Sequence, residues 1–95
     1  MCGIVAYKGH KNSYPILLNG LKRLEYRGYD SAGIACYNDN KLSIIKRRGK
    51  VKELEAAISS RDCDGIGIAH TRWATHGRTN QINAHPHIDQ SKKII

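Results

Sequence analysis

The sequence predicts an α+β domain in which strands pair into a sheet and two helices cover one face of that sheet. Three observations lead to this prediction. Apolar strand-like segments alternate with two stretches at helical spacing, in the order β-α-β-β-α-β-loop-β. No internal repeat, linker or low-complexity stretch divides the 95 residues. The chain contains no Phe and one Trp, so the core of a single small domain must be built from Ile, Leu, Val and Ala.

The first predicted strand covers residues 2–7 and ends at Gly9. Ser13 is a favourable N-cap for a helix, and Pro15 is compatible with the first turn of that helix. Leucines at helical spacing indicate the helix itself, which we expect to end near residues 27–28. These leucines are Leu17, Leu18, Leu21 and Leu24.

A predicted hairpin follows the first helix. A loop over residues 29–33 leads into a second strand at residues 34–37. The turn-forming run at residues 38–40, Asn-Asp-Asn, then predicts a reversal of the chain, and the returning strand covers residues 42–47.

The remaining elements are a second helix, a buried strand and a loop. The helix is short and is indicated by apolar residues at helical spacing, Val51, Leu54 and Ile58. Residues 65–71 predict a buried strand, and residues 73–86 predict a loop because they are rich in Thr, Asn, Gly and His without periodicity. Residues 92–95 resemble the start of another strand, so we expect the fold to be incomplete at its C-terminus.

The net charge of +8 raises the question of nucleic-acid binding. The basic residues do not form one block, and the short clusters among them lie at residues 22–23, 46–50 and 92–93. Tyr37 is the only aromatic residue near the middle cluster. Single-strand binders interleave aromatic and basic residues, and this chain does not. We therefore predict a solvated basic face and no nucleic acid, with an anionic sugar phosphate or a partner subunit as alternative uses of the charge.

The sequence also bears on the cellular compartment. No segment approaches the about 20 apolar residues of a membrane span, and the first residues lack the charged start and apolar stretch of a signal peptide. The three cysteines, Cys2, Cys36 and Cys63, are an odd number, which argues against a disulfide framework. We expect a cytoplasmic protein with no membrane partner, because a reducing compartment fits these cysteines.

Cys2 is the first candidate for chemistry. Removal of Met1 would leave Cys2 with a thiol and a free α-amino group on the same residue. An α-amino group has a pKa of about 7.7–8.0, so it can act as a general base for its own side chain near neutral pH. The alternative is a buried cysteine that acts only as a small apolar residue.

The second candidate is the run HTRWATHG from His70 to Gly77, which follows a predicted buried strand and opens a loop. Arg72 offers a planar fork that matches a carboxylate, and Thr75 and His76 offer hydrogen-bond donors. An amino-acid substrate has a carboxylate and an ammonium group to be held. A structural Arg in an ion pair is the alternative interpretation.

Two further groups of residues give weaker signals. In the run from Tyr26 to Gly33, Arg27 and Asp30 are able to pair and to position the loop near the first strand. Four histidines raise the question of a zinc site, namely His70, His76, His85 and His87. Their spacing lacks the tight, repeated pairs of zinc sites, so we predict no metal and expect solvated or hydrogen-bonded histidines.

Four segments together resemble the glutaminase domains of glucosamine-6-phosphate synthases, which are class II glutamine amidotransferases. The segments are CGIV at residues 2–5, RLEYRGYDSAG at 23–33, HTRWATHG at 70–77 and NAHPH at 83–87. They follow in order over essentially the whole chain. The forms YRGYD and RWATH are similar to this family, whereas amidophosphoribosyltransferases usually have HRGQD and asparagine synthetases depart further.

The resemblance implies an N-terminal-nucleophile hydrolase fold, an αββα sandwich of which residues 1–95 would be the N-terminal part. It implies that Cys2 attacks the side-chain amide of glutamine, so that a γ-glutamyl thioester forms and ammonia is released without a cofactor. Water then regenerates the enzyme and yields glutamate. Arg27 and Asp30 would support the neighbourhood of the nucleophile.

The resemblance also implies a glutamine-binding loop. Arg72 would hold the α-carboxylate of the substrate, with Trp73, Thr75 and His76 around it. In the family, ammonia passes through a channel to a sugar-isomerase domain, where fructose 6-phosphate is aminated, and we expect the intact protein to be a homo-oligomer.

The sequence departs from the family in what it lacks. The Asn-Gly pair of the oxyanion hole would lie just beyond the strand that begins at Lys92, and the acidic residue that binds the substrate ammonium would lie further on. The sugar-isomerase domains are also absent. We therefore expect a fragment of the full synthase, and the alternative is a truncated, catalytically inactive interaction module of the same fold.

Overall fold

The computed structural model describes residues 2–38, 41–58, 63–74, 77–91 and 95. Within these ranges the chain forms a four-stranded antiparallel sheet with two α-helices, which confirms the predicted α+β class. The elements are β1 (Gly3–Asn12), α1 (Ser13–Leu24), a short 3-10 helix (Glu25–Arg27), β2 (Ser31–Asn38), β3 (Lys41–Arg48), α2 (Val51–Ile58) and β4 (Asp64–Arg72). No helix in the described ranges is long and apolar enough to cross a membrane.

The sheet has the strand order β1-β4-β2-β3, and every neighbouring pair is antiparallel. β4 follows all the other described strands in the chain, yet it lies between β1 and β2. The register pairs Gly3 of β1 with Thr71 of β4, and Ser31 of β2 with Arg72 of β4. The starts of β1 and β2 and the end of β4 therefore meet at one end of the sheet.

Both helices lie on the same face of the sheet, as the sequence predicts. Leu17 and Leu21 of α1 and Leu54 of α2 are fully buried. They belong to one hydrophobic cluster with strand residues that include Ile34 and Ala69. Burial of one such side chain contributes about 1.5–3 kcal/mol, so the helical spacing of the leucines decides which side of each helix faces the sheet.

The opposite face of the sheet is largely open in the described part of the chain. Side chains alternate between the two faces along a strand, and in β1 Val5 packs on the core cluster whereas Ile4 is 69% exposed. Ile66 of β4 is 48% exposed, and Tyr37 of β2 is 44% exposed. Residues 82–87 lie over the end of this face that is near the site described below.

The beginning of α1 differs from the prediction. β1 continues past Gly9 to Asn12, with an irregularity in its pairing between Lys8 and Asn12. The N-cap of α1 is Asn12, whose side-chain oxygen accepts a hydrogen bond from the Tyr14 amide (3.3 Å). The Ser13 hydroxyl instead donates to the Cys63 carbonyl (3.1 Å), because the antiparallel pairing of β1 and β4 brings Cys63 to the start of the helix.

The hairpin, the second helix and the strand β4 occur where the sequence predicts them, but β2 begins three residues earlier. Residues 31–33 pair with β3 on one side and β4 on the other, so partners distant in sequence extend the strand into the predicted loop. The described residues between 73 and 91 form neither helix nor strand. Asn38, the first residue of the predicted turn at 38–40, ends β2, and residues 39–40 lie outside the described residues. The predicted strand from Lys92 also lies outside them, residue 95 excepted.

Cys36 and Cys63 form a disulfide with their Cα atoms 6.3 Å apart, so the expectation against a disulfide is wrong. Both residues lie in the core, Cys36 on β2 and Cys63 just before β4. An odd number of cysteines requires only that one remain unpaired. That residue is Cys2, whose thiol is free and exposed.

Candidate active site

Pairing between the first and last strands brings Cys2 to the end of β4. The Gly3 amide donates a hydrogen bond to Thr71 Oγ1 (3.1 Å), and Gly3 and Thr71 are cross-strand partners. In an antiparallel pair, one step towards the N-terminus on β1 matches one step towards the C-terminus on β4. Cys2 therefore comes beside Arg72, although the two residues are 70 positions apart in the sequence.

A cavity of about 420 Å³ lies at this end of the sheet. Its lining residues in the described part of the chain are Cys2, Arg72, Trp73, Gly77, Asn83, His85 and His87. Small-molecule sites typically occupy about 300–1,000 Å³, so the cavity has room for an amino acid. It brings together a thiol, which is able to act as a nucleophile, and a guanidinium, which matches a carboxylate.

Arg72 is held in the wall of the cavity. Its residue is only 8% exposed, and its Nη1 donates to the Arg78 carbonyl (3.3 Å). The Asn83 side-chain amide donates to the same carbonyl (3.0 Å). A guanidinium that is oriented by the protein loses less freedom when it binds a carboxylate in a two-pronged arrangement.

Asp30 fixes the backbone around Arg72. Its carboxylate oxygen Oδ2 accepts a hydrogen bond from the Ala74 amide (2.6 Å). Its own amide donates to the Arg72 carbonyl (2.8 Å), and its carbonyl accepts from the Gly49 amide (2.9 Å). Asp30 thus connects the entry to β2, the end of β4 and the segment between β3 and α2.

Trp73 is half exposed and packs over Gly28. Gly28 has φ +80°, and a Cβ atom at this position would lie 2.6 Å from Cζ3 of Trp73. Only glycine allows both this backbone conformation and this close approach of the indole ring. The 3-10 helix therefore ends at a residue that also places one wall of the cavity.

Three other predicted site residues are not among the described residues that line the cavity. Arg27 lies in the 3-10 helix and is partly buried. Thr75 and His76 lie outside the described residues. Their roles stay predictions from the resemblance.

Three histidine rings contact one another in series, His70 with His85 at a tilt and His85 with His87 edge to face, and we call this group the histidine stack. Two of its members, His85 and His87, line the cavity. The ring centroids of His70 and His85 are 4.4 Å apart, and those of His85 and His87 are 4.6 Å apart. Burial is the largest cause that lowers the pKa of each imidazole. The positive charges of Arg72 and Lys46 lower the pKa of His85 and His87 further.

The effect is that these imidazoles tend to be neutral near pH 7. The described residues contain no group of three or more His, Cys, Asp or Glu with an arrangement that could hold a metal ion.

Residue-by-residue interpretation of the sequence missed the cavity role of Asn83, His85 and His87. The sequence predicts hydrogen-bonded or solvated roles for His85 and His87 and no individual role for Asn83, because spacing along the chain offers no metal or catalytic pattern. The one signal that pointed to them was the similarity of NAHPH at residues 83–87 to a known family.

Comparison with curated proteins shows similarity over nearly the whole chain. The chain is 58% identical over 96 aligned residues to a glutamine–fructose-6-phosphate aminotransferase (isomerizing) of Bacteroides thetaiotaomicron, an alignment that covers 99% of the chain. Proteins of the same name from Staphylococcus aureus and Clostridium perfringens are 56% and 50% identical over 92% and 99% of the chain.

The chain spans about one sixth of the length of these relatives, since the alignments cover 15–16% of each. A comparison with models of protein families gives no match. The chain is thus similar to one segment of these aminotransferases.

Proposed function

We propose that this chain is the N-terminal glutaminase part of a glutamine–fructose-6-phosphate aminotransferase and that its cavity hydrolyses glutamine. The observation that carries the proposal is the meeting of the free Cys2 thiol with the Arg72 guanidinium in one cavity of amino-acid size. The names of the relatives supply glutamine as the substrate.

Cys2 is the nucleophile of the proposed reaction. After removal of Met1, the α-amino group of Cys2 accepts the thiol proton, and the sulfur attacks the side-chain amide carbon of glutamine. The tetrahedral intermediate collapses when the carbon–nitrogen bond breaks, and the amino group returns the proton so that ammonia leaves. Water then attacks the γ-glutamyl thioester, glutamate departs, and the thiol is restored.

Arg72 binds the α-carboxylate of glutamine and so fixes the distance between the amide carbon and the sulfur. Trp73 forms a wall beside it, and Thr75 and His76 complete the glutamine-binding loop. Asp30 holds residues 72–74 through the hydrogen bonds described above. Arg27 supports this end of the sheet from the 3-10 helix. The reaction uses neither a metal nor a cofactor.

The fold is proposed to be part of an αββα sandwich of the N-terminal-nucleophile hydrolase type. A single sheet with both helices on one face is half of such a sandwich. The open face, with Ile4 and Ile66 exposed, is then the surface on which a second sheet packs.

In the longer protein, the ammonia is used to convert fructose 6-phosphate to glucosamine 6-phosphate in a separate isomerase part. We expect that protein to be a homo-oligomer in the cytoplasm, where the Cys36–Cys63 disulfide would be unusual because the compartment is reducing. Its partners are the two substrates, and nucleic acid and membranes are not among them.

The proposal is tested in the longer protein that contains this segment, by comparing wild type with Cys2→Ala. We expect Cys2→Ala to abolish glutamate release from glutamine while synthesis with added ammonia continues, because only the ammonia source is lost. Intact-mass measurement should show that the active wild type lacks Met1.

A double variant, Cys36→Ser/Cys63→Ser, serves as the control and should retain turnover at a temperature where it is folded. Glutamate release by Cys2→Ala, or full activity in a protein that keeps Met1, would refute the mechanism. Absence of glutaminase activity in the wild type would favour an inactive interaction module.

A further inference from the structure

Four residues form one cross-strand row over the whole width of the sheet. Ile4 of β1 pairs with His70 of β4, His70 pairs with Gly33 of β2, and Gly33 pairs with Lys46 of β3. Directly paired residues point to the same face of a sheet. For this row it is the face opposite the helices, because Ile34 and Ile45, the neighbours of Gly33 and Lys46, belong to the core cluster.

The segment of residues 82–87 is attached to three residues of this row. Lys46 Nζ donates hydrogen bonds to the carbonyls of Ala84 (2.9 Å) and Ile82 (3.3 Å). The His85 ring lies against His70, with 4.4 Å between the centroids. The His85 carbonyl oxygen lies so close to Gly33 that a Cβ atom at position 33 would overlap with it.

The same segment supplies a large part of the cavity wall. Asn83, His85 and His87 line the cavity together with Cys2 and Arg72. Lys46 itself is not among the described lining residues, so its hydrogen bonds act on the cavity wall through residues 82–87.

We propose that Lys46 is a positioning residue for the cavity lined by Cys2 and Arg72. Gly33 leaves the space that the His85 backbone needs to lie on the sheet. Lys46 holds the carbonyls of the segment, and Gly33 lets the His85 backbone rest on the sheet. The wall formed by Asn83, His85 and His87 is thereby placed against the strand ends that carry Cys2 and Arg72. The attachment of residues 82–87 to the sheet follows from these contacts alone, whereas the expected effect on KM rests on the proposed glutaminase function.

A charged amine is suited to this task. Hydrogen bonds from a charged donor are about twice as strong as neutral ones, and one ammonium group can reach two carbonyls that β3 could not reach by strand pairing. Burial lowers the pKa of Lys46, which agrees with an amine that is drawn towards the segment and away from solvent.

The position of Lys46 predicts a particular kinetic effect. The strand ends that carry Cys2 and Arg72 are held by the sheet and by Asp30, not by Lys46. Loss of the Lys46 contacts should therefore loosen the binding wall more than the reacting groups. We expect KM for glutamine to rise and kcat to change little.

The test compares Lys46→Met, Lys46→Arg and Gly33→Ala in the longer protein, with Lys41→Met as the matched control. Lys41 is an exposed lysine at the other end of β3. In Lys46→Met we expect KM to rise about tenfold or more, as for loss of a charged hydrogen bond, and kcat to fall less than about threefold. In Lys46→Arg we expect KM to stay close to the wild-type value, because the charged donor is kept. Lys41→Met should behave as wild type.

Amide hydrogen exchange supplies a readout that does not depend on activity. In Lys46→Met and in Gly33→Ala, the amides of residues 82–85 and 87 should exchange faster by about tenfold or more, while those of β4 keep their protection. Gly33→Ala leaves Lys46 in place and should reproduce the rise in KM, so the proposal stays testable if one variant fails to fold.

The two proposals can fail separately. Unchanged exchange at residues 82–87 in Lys46→Met would overturn the positioning role, whatever the kinetics. Faster exchange with an equal fall in kcat and no rescue by Lys46→Arg would also overturn it, because a general loss of structure would explain both. Faster exchange in a protein whose wild type does not hydrolyse glutamine would sustain the attachment of the segment and refute the glutaminase function.

Discussion

Arg72 has an environment suited to the carboxylate binding that we propose for it. The residue is 8% exposed, its guanidinium donates to the Arg78 carbonyl, and Asp30 fixes its backbone. Lysine carries the same charge but lacks the planar fork. The geometry at this residue, and not only its charge, should therefore determine how tightly the substrate carboxylate binds.

For Arg72→Lys we expect KM for glutamine to rise roughly ten- to a hundredfold, because a charge-assisted pair contributes about 1.5–3 kcal/mol. The measurement is KM for glutamine beside KM for an analogue without the α-carboxylate, which should be insensitive to the change. Equal sensitivity of the two substrates would show that Arg72 acts on structure and not on the carboxylate.

The histidine stack makes a second prediction at the residue scale. Burial, followed by nearby positive charges, lowers the pKa of His70, His85 and His87 in the folded chain below the ordinary 6.5. The unfolded chain then binds more protons than the folded chain below that pH, so the free energy of unfolding decreases as pH falls. Above pH 6.5 this contribution is fully present.

Urea unfolding at about pH 7.5 and at about pH 5.5 measures this loss. The variant His85→Gln/His87→Gln should show a smaller difference between the two pH values than wild type. Replacement of the exposed His10 by Gln should leave the difference unchanged. A double variant with the full wild-type difference would assign the pH dependence to other groups.

At the scale of elements, the end of the 3-10 helix determines where Trp73 lies. Gly28 adopts φ +80°, and a Cβ atom there meets the indole ring. Gly49, between β3 and α2, also has a positive φ, +98°, but the nearest atom to a Cβ at this position is 3.7 Å away. Both glycines thus have a backbone conformation that disfavours other residues, but only at Gly28 would an added Cβ atom overlap with a neighbouring side chain.

We expect Gly28→Ala to lower the free energy of unfolding by more than Gly49→Ala does. Backbone strain of this kind costs about 1–3 kcal/mol, and only Gly28→Ala adds the overlap with Trp73. Thermal unfolding measures both, since 1 kcal/mol shifts Tm by about 4–8 °C in a domain of this size. Equal shifts would mean that the indole ring moves aside without cost.

At the scale of the whole molecule, the helices leave one face of the sheet open in the described part of the chain. Ile4, Tyr37 and Ile66 are exposed on this face. Exposed apolar surface next to unpaired strand edges favours association between copies. The edge strands of the described sheet are β1 and β3.

We expect the 95-residue chain to self-associate at micromolar concentration and Ile4→Lys/Ile66→Lys to reduce this association, because charged side chains would have to be buried in the contact. Sedimentation velocity measures the effect. Tyr26→Lys is the control, since Tyr26 is 85% exposed but lies on the 3-10 helix. If Ile4→Lys/Ile66→Lys associates as strongly as Tyr26→Lys, the open face is not the contact surface.

Local patterns in the sequence sufficed to predict which elements form, though not all of their boundaries, and to select Cys2 and Arg72 as candidates. The spacing of Leu17 and Leu21, and of Val51 and Leu54, predicted two helices with one apolar side each, because residues three or four positions apart share a side of a helix. Cys2 and Arg72 could be selected by their chemistry and by resemblance.

Only the tertiary structure decided which distant residues meet. The pairing of β1 with β4 places Cys2 beside Arg72, and the row through Gly33 and Lys46 holds the segment that completes the cavity. The disulfide between Cys36 and the segment before β4 has the same origin. Periodicity records only which side of its own element a residue faces, whereas strand order and register are set by packing between elements far apart in the chain.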